Sequence, residues 1–102
     1  MTKGPRDSLL LLLRKLSKKG FYEILVHIGK TENVHYNDVL KYALEKKIVQ
    51  SRASITIALN GLTDLGLVER EVSQTRPIRT TYKISKKGKS VIKNLKELEL
   101  VA

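Results

Sequence analysis

The sequence predicts a small, mainly helical α+β fold with five helices and one β-hairpin inserted before the last of them. Three observations carry that expectation. Apolar residues recur at helical spacing in five segments, strand-like alternation is confined to 67–84, and Gly66, Ser73–Pro77 and Ser85 punctuate that stretch at its ends and middle. A length of 102 residues holds one domain, taken here as 1–102.

Pro5 and Asp7–Ser8 form a helix start, and Leu9, Leu12, Leu13 and Leu16 follow at helical spacing to Lys18–Lys19 and Gly20, giving a first helix over 8–19. Leu10 and Leu11 widen its apolar arc beyond what one small core requires; the surplus serves either a partner surface or burial within the monomer. Phe21, Ile24, Leu25 and Ile28 set a second helix over 21–29, ended by Gly29 and the turn Thr31–Glu32–Asn33. Val34, His35 and Tyr36 make a short β-prone patch. Asn37–Asp38 then cap a third helix with Val39, Leu40, Ala43 and Leu44 inward, ending near Lys46–Lys47.

After Ile48 and Val49, Ser51 is a good N-cap, and Ile55, Ala58, Leu59 and Leu62 form the core stripe of a fourth helix over 51–65, with Gly66 just past its end. Leu67, Val68 and Val72 mark one strand, Thr80, Tyr82 and Ile84 another, and Ser73–Gln74–Thr75–Arg76–Pro77 the tip between them. Ser85 caps a last helix over 85–99 that carries Val91, Ile92, Leu95 and Leu98.

Charge gives the first functional clue. Twenty Lys+Arg against ten Asp+Glu leave +10, a field that attracts nucleic acid, an anionic membrane face or an acidic protein. The excess lies at the ends: 1–20 carry six basic and one acidic side chain, and 81–102 carry six and two, while 21–50 balance at four each. Residues 51–80 carry four arginines against three acids and no lysine, and guanidinium forks suit phosphate and guanine.

With no cysteine there is no disulfide, thiolate metal site or cysteine nucleophile, which fits a reducing cytoplasm. The longest apolar run, Leu9–Leu13, is far below the roughly 18 residues that span a bilayer, so a cytoplasmic protein without a membrane partner is expected. His27 and His35 lack a second ligand at metal spacing, and neither a phosphate loop, nor an apolar carboxylate pair, nor a Ser/His/Asp arrangement is present. The expectation is no metal, no cofactor and no catalysis.

Two short helices joined by a tight link, the second followed at once by a glycine turn and a hairpin, are the order of a winged helix-turn-helix, with 37–65 as the helix pair and 67–84 as the wing. The stretch Ser51–Lys89, with GLVER at Gly66–Arg70, an arginine-bearing tip at Arg76 and Arg79, and TYKISKKGK at Thr81–Lys89, resembles the DNA-binding domains of archaeal and bacterial MarR-, HxlR- and PadR-type regulators. YNDVLKYAL at Tyr36–Leu44 is similar to the helix preceding the recognition helix in those families. The resemblance covers about two-thirds of the chain and implies a transcriptional regulator whose partner is double-stranded DNA.

On a wheel at 100° per residue, the side of 51–65 opposite Ile55, Leu59 and Leu62 holds Ala53, Thr56, Ile57 and Asn60, with Arg52 nearer the boundary. Asn pairs with adenine bidentately and methyl groups meet the thymine methyl, so these five residues are the candidates for base readout; for Thr56 and Asn60 the alternative is plain polar surface. Ile57, opposite the core stripe, is either covered by DNA, the wing or a neighbouring subunit, or is one of the single apolar residues common on surfaces. Gly61 inside the helix implies close packing.

Ser51 and Ser54 open that helix, where capping and phosphate binding can coexist. Arg76 and Arg79 flank Pro77 and are placed to meet a phosphate backbone or a minor groove, or else form a solvated edge that discourages strand pairing. Lys86, Lys87 and Lys89 sit at the unfavourable end of the last helix, which points to an external anion or to the lysine surplus of a thermophile. Tyr36 is either a core or staple residue or a phosphate donor.

One reading helix, about 21 Å long, spans only a few base pairs, so a homodimer on two half-sites is expected. Its interface falls to Leu9, Leu10 and Leu13 with Leu95 and Leu98. A non-specific architectural DNA binder and a winged-helix adaptor between proteins are the competing readings. No residue set marks a pocket for a small-molecule effector.

Overall fold

The computed structural model describes residues 5–31, 33–74 and 76–102, with side chains from Ser8 onward. Glu32 and Thr75, both assigned to turns above, and the side chains of Pro5 and Asp7 lie outside the described residues. The order is α1 (Pro5–Leu16), α2 (Phe21–Lys30), β1 (Val34–His35), α3 (Tyr36–Glu45), α4 (Arg52–Asp64), β2 (Val68–Val72), β3 (Thr80–Ile84) and α5 (Lys86–Glu99).

The hairpin is part of a three-stranded antiparallel sheet ordered β1-β3-β2, because the β-prone patch at 34–35 pairs Val34 with Tyr82 and His35 with Thr81. β2 and β3 pair from Val68↔Ile84 to Val72↔Thr80, and the Ser73 amide donates to the Arg79 carbonyl at 2.8 Å to close the tip. The core is one cluster in which Ile24, Leu25, Ile28, Val39, Ile55, Leu59, Leu62 and Leu67 are fully enclosed. Helices α2 and α4 bury the stripes their spacing fixed, whereas α1 and α5 bury only part of theirs, so packing rather than propensity holds these short helices.

Several boundaries move, each for a local reason. Helix α1 starts at Pro5, which needs no amide partner at a first helical position, and ends at Leu16, where the Ser17 hydroxyl donates back to the Arg14 carbonyl at 2.8 Å. Gly29 does not end α2 but sits inside it, where an added Cβ would come 2.9 Å from Ile92 Cδ1 of α5. The α3 N-cap is His35, with no side-chain cap bond, so Asn37 and Asp38 fall in the first turn instead of before it. Leu44 is exposed, not inward, because it lies about 100° from the Val39–Ala43 stripe.

The helix-turn-helix link is set at both of its helix ends. Ser51 caps α4 by accepting from the Ser54 amide at 3.2 Å. Helices α3 and α4 each end in a Schellman motif: Ile48 and Leu67 amides donate to Ala43 and Leu62 carbonyls at 2.9 and 3.0 Å. The left-handed residue is Gly66 (φ 75°) in one case and Lys47 (φ 55°) in the other. Gly61 packs against Phe21, whose Cε2 lies 2.5 Å from where a Cβ would stand.

Candidate nucleic-acid interface

Helix α4 buries Ile55, Ala58, Leu59 and Leu62 and leaves Arg52, Ala53, Thr56, Ile57 and Asn60 on the outside. Ile57 is 61% exposed, so neither the wing nor any other described part of the chain covers it. An isoleucine held in water at the centre of a polar helix face loses the stabilisation of burial, a cost that a partner with apolar groups can recover.

The N-terminal end of this face is organised by α3. The Tyr36 and Thr56 hydroxyls are hydrogen-bonded at 2.9 Å, and the Arg52 guanidinium carbon lies 6.0 Å from the Tyr36 ring centre, at the outer range of a cation–π contact. Tyr36 is half-buried against the core. It therefore joins the two helices, while Thr56 commits its hydroxyl to α3 and leaves its methyl exposed. Ser51 and Ser54 hydroxyls bond each other at 3.0 Å, so both are engaged in capping, next to first-turn amides that form the positive end of the helix dipole.

Past the core's edge the wing extends into solvent. Arg70 stands across from buried Tyr82, on the face that continues from Val68 to Val72. Burial holds the Tyr82 phenol above its usual range, against the opposing pull of the Arg70 charge. Arg76 and Arg79 are exposed at the tip, and Ile78 between them is 69% exposed. A groove of about 540 Å³ separates the tip from the start of α3, with His35, Tyr36, Asn37 and Asp38 on one side and Pro77, Ile78, Arg79 and Thr80 on the other.

Arg70 and Ile78 are two further exposed side chains of the hairpin that were not singled out from the sequence. Strand alternation from Val68 was the available signal for Arg70; Ile78, alone beside a proline, gave none.

The lysines divide differently. Lys86 is exposed at the start of α5. The Lys87 ammonium donates to the Leu65 carbonyl at 2.8 Å, and the Ser85 hydroxyl donates to the Gly66 carbonyl at 2.6 Å while accepting from the Gly88 amide. The compensation expected from an external anion is therefore internal for Lys87, because the negative C-terminal end of α4 lies against the positive start of α5.

A second exposed surface is apolar. Leu9, Leu10, Leu13 and Leu98 are solvent-exposed and Leu95 is half-buried. An open groove of about 460 Å³ runs between α1 and α5, lined by Leu13, Leu16, Leu95 and Leu98 together with Tyr22, Glu23 and Glu99. The Tyr22 hydroxyl donates to Glu99 Oε1 at 2.9 Å beside it. Among the described residues no group of His, Cys, Asp and Glu could hold a metal ion, and no helix is long and apolar enough to cross a membrane.

Residues 42–101 match the sequence profile of the HxlR-like helix-turn-helix family. No curated protein matches the chain. Solved structures that share the fold include three regulators. A MarR-family transcriptional regulator from Enterococcus faecalis V583 is 19% identical with a TM-score of 0.75, over 96% of this chain and 84% of that one. The reduced form of the transcriptional regulator YodB from B. subtilis is 18% identical with a TM-score of 0.73, over 97% and 90%. A MarR-family regulator from Porphyromonas gingivalis W83 is 16% identical with a TM-score of 0.71, over 97% and 92%.

Proposed function

Because the chain belongs to the HxlR-like helix-turn-helix family, and so to the winged-helix transcriptional regulators rather than to enzymes, we propose that it binds a defined duplex site as a homodimer. The unit is the whole of 1–102, acting in the cytoplasm. Helix α4 enters the major groove, Arg52 and Asn60 bond base edges, and Ala53, Thr56 and Ile57 pack against thymine methyls. Ser51, Ser54 and Lys86 meet phosphates, and Arg70, Arg76 and Arg79 follow the flanking backbone or the minor groove. Leu9, Leu10, Leu13, Leu95 and Leu98 pair two copies so that their α4 helices reach half-sites about one helical turn apart.

The observation that carries this reading is the uncovered outer side of α4, with Ile57 61% exposed beside an arginine-bearing wing. Methyl groups and forked cations on one face match the mixed chemistry of a groove that contains A·T pairs between phosphate rails.

Selection of bound fragments from random duplex DNA tests it. The expected product is a palindromic, A·T-containing site that survives excess competitor, and Asn60→Ala should relax preference at one position by about 1–3 kcal/mol. Recovery of unenriched DNA would place the protein among non-specific binders, and recovery of none would point to a protein partner.

A further inference from the structure

Lys30 of α2 and Lys89, Lys93 and Lys96 of α5 surround a groove of about 320 Å³ that includes Val26 and Ile92 in its lining. Among the described residues none of these four lysines makes an ion pair. The groove is lined by lysine without arginine, the reverse of 51–80, which holds four arginines and no lysine. Lysine is a point charge on a flexible stem and suits phosphate neutralisation without geometric reading, whereas arginine suits forked contacts.

The groove faces away from α4. On the α2 wheel Val26 and Lys30 lie about 170° from the side formed by Ile24, Leu25 and Ile28, which enters the core shared with α4. The thickness of a helix therefore separates this groove from the face bearing Ile57 and Asn60. It is also distinct from the leucine surface: on the α5 wheel Lys89, Lys93 and Lys96 lie about 180° from Val91 and Leu98. A dimer joined through Leu13 and Leu98 leaves it open.

We propose that the α2–α5 lysine groove is a second duplex-binding site, so that the protein holds two DNA segments at once, one read by α4 and the wing and one gripped by its backbone alone. The inference rests on the proposed first duplex. Lys89 to Lys96 span about 10 Å of helix, which matches about three phosphates at the axial rise of one strand. Neutralising three phosphates makes the second affinity fall roughly 40-fold between 50 and 200 mM salt.

The test is a capture assay with the full chain. Beads carry a short duplex of the selected site, and a labelled random duplex is in solution. The wild type should bring the labelled duplex to the beads with the stated salt dependence. The triple variant Lys89→Gln, Lys93→Gln, Lys96→Gln should keep its melting temperature and its affinity for the bead site within about twofold, yet lose capture at least tenfold; Lys30→Gln alone should lose part of it.

Capture that persists in the triple variant means bridging by the two α4 faces of a dimer and overturns the proposal, as does a variant that loses the bead site as well. Wild type that binds the bead site without capture overturns this inference and leaves the function standing. Wild type that binds no duplex overturns both. Co-sedimentation with phosphatidylglycerol vesicles in place of capture would assign the groove to a membrane surface and likewise overturn it.

Discussion

The α4–wing face and the α1–α5 face both leave large apolar side chains in water, but against opposite backgrounds. On the first, Ile57 and Ile78 stand singly among Arg52, Arg70, Arg76 and Arg79 and the polar Asn60. On the second, Leu9, Leu10 and Leu13 are exposed on α1, and Leu13 lines a groove with Leu95 and Leu98 that holds no arginine and includes Glu23 and Glu99. An isolated methyl among forked cations fits a polyanion that carries methyl groups of its own. Contiguous leucines fit another apolar surface and least of all DNA. Single exposed apolar residues are common on protein surfaces, so it is the residues around them that distinguish the two faces.

The largest expected effect falls on the leucine face. Leu13→Asp with Leu98→Asp would bury unpaired carboxylates in the proposed dimer, weakening association by about 3–5 kcal/mol and leaving monomer in sedimentation equilibrium. Unchanged association would remove the dimer from this surface. On the other face, Arg76→Ala with Arg79→Ala should flatten the salt dependence of duplex binding by about two in log–log slope, with the melting temperature unchanged. A slope equal to that of the wild type would mean that the wing does not touch phosphate.

Ile57→Ala sharpens the contrast. It should alter stability by less than about 0.5 kcal/mol, because the side chain is already in water, while weakening binding to an A·T-containing site. Thermal melts and fluorescence anisotropy separate the two. A large loss of stability would mean that Ile57 is covered after all, for instance by the second copy.

The smallest effect belongs to neither face. His27 stacks on Tyr42 with ring centres 3.7 Å apart, and burial, then the nearby Lys30 charge, hold its pKa below the ordinary value, with Asp38 opposing. The unfolded chain then takes up a proton before the folded one does. The His27 contribution to stability is whole above about pH 6.5 and declines as pH falls below it. Melting temperatures at pH 7.5 and 5.5 should differ more for the wild type than for His27→Gln; equal differences would contradict this.

Much of this was legible in the residues. The stripes of α2 and α4, the Ser51 and Ser85 caps and the Gly66 turn follow from periodicity and capping chemistry, which act within a few residues of sequence. What escaped depends on contacts between distant segments. Val34–His35 becomes a strand only because β3 is there to pair with it, and Gly29 is tolerated inside α2 because Ile92 of α5 leans on it. Lys47 takes a left-handed conformation that composition favours in glycine or asparagine, and nothing local announces it. Lys87 looked available to a ligand until α4 brought the Leu65 carbonyl to it. At the site, the outward set on α4 was visible from the wheel, whereas the tie from Tyr36 to Thr56 required the packing of α3 against α4.

Methyl-resolved NMR of the full chain tests the division between the two faces most directly. Addition of the selected duplex should move the Ile57 and Ile78 methyl signals and leave them insensitive to protein dilution, while the Leu13 and Leu98 methyls respond to dilution and not to DNA. Ile57 unmoved by DNA but shifting as the protein is diluted would contradict the account, because the outer side of α4 would then meet protein instead of a duplex.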